Sequence, residues 1–158
     1  MVIGAIIVGV FAVVWTAAGA RVFGRGWMVA LPALAILISV TIAHMAAHHR
    51  SAYPFKFNGA GYGIAVGFEF IGIFFAVVIL RSRRLYDLIL PVISIIVGLH
   101  FFGMVPALGS DEYWWVGGAM CAWPLAIMWL TPRRWWIPMT GLGCAVIFWV
   151  SILCSISF

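Results

Sequence analysis

Few residues in this chain are able to do chemistry: four histidines and four acids among 158 residues. Three of the histidines cluster in His44-Met45-Ala46-Ala47-His48-His49-Arg50, at the end of an apolar stretch, while His100 and Glu69 sit inside two later ones. Imidazoles and a carboxylate suit several kinds of site. His44, His48, Glu69 and His100 are an acceptable ligand set for zinc, non-haem iron or another divalent metal, and His44 and His48 have the i, i+4 spacing of known helical ligand pairs. Glu69 and His100 alone could form a buried pair that carries a proton. A haem held between His44 and His100 is a third possibility, but the two residues fall at depths about two helical turns apart, which counts against it. The plain alternative is that His48 and His49 are ordinary interfacial residues and that Glu69 and His100 only satisfy one another.

The elements that must position these groups follow from composition. The chain is 66% hydrophobic and 8% charged, with a mean hydropathy of +1.18. A soluble domain is usually about one quarter charged, so this is the composition of an integral membrane protein whose solvent is the lipid bilayer. Six apolar stretches of about 20 residues, the length that crosses a hydrocarbon core as helix, account for nearly all of it. The expected spans are about 2–20, 27–47, 61–80, 88–107, 113–130 and 136–155, forming a single all-α transmembrane domain, a compact six-helix bundle. Ala18-Gly19-Ala20 could pass for a peptidase site, but no basic residue precedes the first apolar run, so that span is expected to be retained. Cys121, Cys144 and Cys154 fall inside spans without metal-site spacing and read as apolar core thiols.

The net charge of +5 is no argument for nucleic acid, because the basic residues lie in short loops and act as topology determinants. Arg21, Arg25, Arg81, Arg83, Arg84, Arg133 and Arg134 fall after spans 1, 3 and 5, whereas the opposite side carries only Arg50 and Lys56. The positive-inside rule then places both termini on the outer, periplasmic side. Trp27, Tyr86, Trp135 and Trp136 would form the inner aromatic belt, and Tyr53, Tyr113, Trp114 and Trp115 the outer one. Pro32, Pro91 and Pro138 fall near the starts of spans 2, 4 and 6, where a missing backbone donor is tolerated. Pro124, inside span 5, predicts a local kink.

With the spans in place, the polar residues acquire depths. Glu69 precedes the Arg81 loop and His100 follows it by similar lengths, which puts both about 18 to 20 Å from that loop on antiparallel neighbours. His44 and His48 share one face of span 2 with Thr41, and Tyr62 shares the face of Glu69. A charge facing lipid at a helix centre costs about 2.5 to 3.5 kcal/mol on insertion scales, so these groups should turn inward and find each other. Gly63 and Gly67 form a GxxxG pair on a different face, expected to pack internally or, failing that, to join copies of the chain.

The segment Val97-Gly98-Leu99-His100-Phe101-Phe102-Gly103-Met104-Val105-Pro106 resembles a Gly-Leu-His-Phe motif of small, multi-span bacterial membrane proteins of uncharacterised function. The likeness covers ten residues of one span and, loosely, span 3. It implies a bacterial inner membrane and a role for His100, and nothing about activity. Tryptophan-rich sensory proteins match in length and tryptophan content, but their proline-rich first loop is absent here and six spans exceed their five. There is no Walker loop, nucleophile elbow or dinucleotide fingerprint, and a single histidine box falls short of the several used by membrane desaturases. Enzymatic activity is therefore not the leading expectation. The expected function is that of a small transporter- or permease-like protein for a solute or ion, with a polar site in the outer half of spans 2, 3 and 4. The alternatives are a membrane-embedded metalloprotein or metalloenzyme, and an accessory subunit of a larger complex.

Overall fold

The computed structural model describes residues 2–48 and 58–157. All of the regular structure among them is helical: α1 (Val2–Ala20), α2 (Arg25–His48), α3 (Gly59–Ser82), α4 (Ile89–Leu108), α5 (Glu112–Leu130) and α6 (Trp136–Ser157), with single 3-10 turns at Tyr86–Leu88 and Arg133–Trp135. The segment carrying His49, Arg50, Tyr53, Pro54 and Lys56 lies outside the described residues.

Four segments are long and apolar enough to cross a membrane: Arg25–His48, Gly59–Ser82, Tyr86–Leu108 and Arg133–Ser155. The apolar stretch Ala5–Ala20 is shorter. Helix α5 does not reach the same hydropathy, since four tryptophans, the Gly117-Gly118 pair and Glu112 replace aliphatic residues along it. The all-helical, membrane-compatible architecture is thus observed.

The chain forms two compact units, one of residues 1–53 with 141–158 and the other of 54–140. In the first, α1 packs on α2 and on the later part of α6. A Cβ at Gly141 would lie 2.6 Å from the carbonyl oxygen of Trp15 and 2.7 Å from the Cα of Gly19, so the two backbones touch there. Small residues permit such approaches where apolar burial does not drive helices together. Ala5, Ile42, Ala46 and Ile152 make the core, with Val8, Ile38, Ala43 and Trp149 against them. One serine ties all three helices: Ser39 Oγ donates to the Gly9 carbonyl at 3.2 Å and accepts from Trp149 Nε1 at 3.1 Å.

In the second unit α4 lies between α3 and α5. On the α5 side Gly98 and Gly117 face one another, each so close that a Cβ would fall within 3 Å of the opposing carbonyl oxygen. Ser94 Oγ donates to the Met120 carbonyl at 2.8 Å in a buried bond beside them. The turn into α4 passes through Arg84, whose φ of 57° is unusual for a residue with a side chain, and α4 ends on Gly109 at φ 66°, where glycine is the natural cap. The Asn58 side chain caps α3 by accepting from the Gly61 amide, while its own backbone N–H donates to the Ala107 carbonyl.

One proline expectation changes. Helix α2 begins at Arg25 rather than at Trp27, so Pro32 sits beyond the first turn and removes one intrahelical bond. Helix α5 continues through Pro124, which is fully buried. Much of the outer surface is apolar: α3 buries no residue, Phe68 is 72% exposed and Trp129 87%. In water such a surface would aggregate, whereas in lipid it is ordinary.

Candidate functional site

The candidate site is built on the α3–α4 hairpin, and small residues bring its walls together. A Cβ on Gly61 would meet Ala107, one on Gly103 would meet Ala65, and one on Gly72 would meet Ile96, all at 3.3 to 3.6 Å. These pairs are rungs of an antiparallel ladder in which each turn forward on α3 is matched by a turn back on α4. Glu69 and His100 are the rung between Ala65–Gly103 and Gly72–Ile96. Their expected common depth therefore becomes a contact, with His100 Nδ1 3.4 Å from Glu69 Oε2.

Both side chains are largely withdrawn from solvent, His100 to 7% and Glu69 to 16% exposure. His100 Nδ1 is buried and has no hydrogen bond among the described residues, its 3.4 Å approach to Glu69 being longer than an ordinary N–H···O bond. The ring also meets Phe101 edge-on at 5.7 Å, and Phe101 stacks on Tyr113 of α5 at 5.8 Å. A groove of about 490 Å³ opens over the pair, with Ile64, Phe68, Ile96 and Leu99 as its apolar walls. An acid and an imidazole on the floor of an apolar groove can exchange a proton, or hold a small polar group by one donor and one acceptor.

The other expected residues are placed as follows. Tyr62 lies two turns from Glu69 toward the start of α3 and is 38% exposed. Thr41 is exposed and donates to the Leu37 carbonyl of its own helix at 2.9 Å. His44 and His48 are exposed near the end of α2, with their Nε2 atoms 3.3 Å apart and their rings edge to face at 4.6 Å. Thus Thr41, His44 and His48 belong to the first unit, and Tyr62, Glu69 and His100 to the second. Among the described residues no group of three or more histidines, cysteines or acids is placed to hold a metal ion.

The expectation of internal packing at Gly63 and Gly67 is not met: a Cβ on either would have nothing within 4 Å among the described residues. The packed face of α3 is the one carrying Gly61, Ala65 and Gly72, and it is the same face that carries Glu69. The i, i+4 spacing of Gly61, Ala65 and Glu69 was the available signal. Ser39 and Ser94 were missed altogether, since one hydroxyl in an apolar helix does not reveal which carbonyl it will reach.

No protein-family model, curated protein or solved structure matches this chain. Fold and site together define a class: an all-α protein with four membrane-length apolar helices and an acid–imidazole pair between two of them.

Proposed function

We propose that the protein is a small multi-pass membrane transporter or permease whose working centre is the Glu69–His100 pair. The observation carrying this reading is the 3.4 Å approach of the two groups, mid-way along apolar helices and beneath an open groove. Ionisable residues at such positions are expensive and mark ion, proton or solute paths. Six spans, an outer location for both termini and a bacterial inner membrane complete the proposal, on the charge asymmetry of the loops and the Gly-Leu-His-Phe likeness. A reporter fused after Phe158 is expected to be active only outside the cytoplasm, and cytoplasmic activity overturns the orientation.

The function is tested in proteoliposomes containing a pH-sensitive dye and challenged with gradients of small ions and solutes. At least one gradient is expected to move protons through the wild type, and Glu69→Gln or His100→Gln should abolish that movement. No proton movement in any condition, or equal movement in both variants, refutes the reading. A second reading, association with another copy of the chain, is favoured by the uncovered Gly63 and Gly67. Gly67→Ile should then convert a dimer in detergent to monomer, while an unchanged mass refutes it.

A further inference from the structure

We propose that His44 and His48 form a two-imidazole chelate for one divalent transition-metal ion, a site separate from the Glu69–His100 pair. The residues stand one turn apart near the end of α2, and their Nε2 atoms face each other at 3.3 Å. Two imidazole nitrogens bound to one zinc ion at about 2.0 to 2.1 Å, with the tetrahedral angle between them, lie about 3.3 Å apart. The observed separation therefore already suits a shared metal. Both side chains are exposed among the described residues and stand at the end of a membrane-length helix, where an ion can keep water on its remaining positions. Paired neutral imidazoles select zinc, nickel or copper(II) over magnesium and calcium, which require oxygen ligands.

The same distance also fits a hydrogen bond between the rings, in which one Nε2 carries a proton, and binding would then displace that proton. This site differs from the four-residue centre expected from the sequence, because it needs neither Glu69 nor His100 and lies within a single helix.

The test uses the full chain purified in detergent without a polyhistidine tag and titrated calorimetrically with zinc, with magnesium as the control. One zinc per chain and no response to magnesium are expected. His44→Ala and His48→Ala should each weaken binding at least tenfold, whereas His49→Ala, Glu69→Gln and His100→Gln should bind as the wild type does. Zinc should also raise the melting temperature of the wild type but not of His44→Ala, a readout independent of any transport activity. Absence of zinc binding in the wild type, unchanged binding in either alanine variant, or equal loss in His49→Ala, Glu69→Gln or His100→Gln overturns the two-histidine site.

Discussion

Removing the Glu69 and His100 side chains singly and together measures whether the central rung of the α3–α4 ladder holds energy. At 3.4 Å two opposite unit charges attract by about 5 kcal/mol at an effective dielectric near 20. Desolvating both groups offsets most of this attraction, and the buried His100 Nδ1 adds no directional hydrogen bond. Hydrogen-bonded pairs between membrane helices couple by about 0.6 kcal/mol on average and about 1.7 at most. The expected coupling is therefore about 0.5 to 2 kcal/mol. Its sign follows from each single alanine variant leaving the surviving polar group unpartnered, so the double variant should lose less stability than the two singles added together. In a chain of this length about 1 kcal/mol moves the melting temperature by about 2 to 4 °C, which thermal unfolding in detergent resolves. Losses that add to within about 0.3 kcal/mol would mean that the side chains do not interact, and the site would lose its centre.

Two further outcomes probe helix packing, one in each unit. Gly98→Ala would set a methyl group 2.6 Å from Cys121 Sγ and 2.9 Å from the Gly117 carbonyl oxygen and should cost about 1 to 3 kcal/mol, whereas Gly63→Ala enters open space and should gain up to about 1 kcal/mol from helix propensity; melting temperatures in detergent compare the two, and equal effects would contradict the placement of α4 against α5. Ser39→Ala removes the acceptor of Trp149 Nε1 and should cost about 1 to 2 kcal/mol with a change in the near-ultraviolet dichroism of tryptophan, while an unaltered spectrum would place Trp149 elsewhere.

The helices were legible because lipid imposes a simple rule: backbone groups must be satisfied within a segment about as long as the hydrocarbon is thick. The ends of all six agree with the expected spans to within two residues. The meeting of Glu69 and His100 was legible for a related reason, since a short turn between antiparallel helices leaves equal distances from the loop at equal depth. Which face of α3 packs was not. Gly63 and Gly67 match the small-residue motif as well as Gly61 and Ala65 do, and the choice rests on α4, which presents Gly103 and Ala107 at the spacing that meets the second pair. The reach of Ser39 to Gly9 and Trp149 joins three helices distant in the chain, and no local pattern encodes it.

The ladder between α3 and α4 has a consequence for how the hairpin assembles. Its other rungs pair small side chains with one another or with Ile96, so helices sliding past each other would find several nearly equivalent resting places. Glu69 and His100 remove that ambiguity. A slip of one turn in either direction sets Glu69 against Gly103 or Ile96 and His100 against Gly72 or Ala65, stranding an acid and an imidazole in an apolar seam. The pair thus acts as a key cut for a single alignment, and it would reject misaligned hairpins while the helices are still settling in the bilayer, before α5 closes over Gly98.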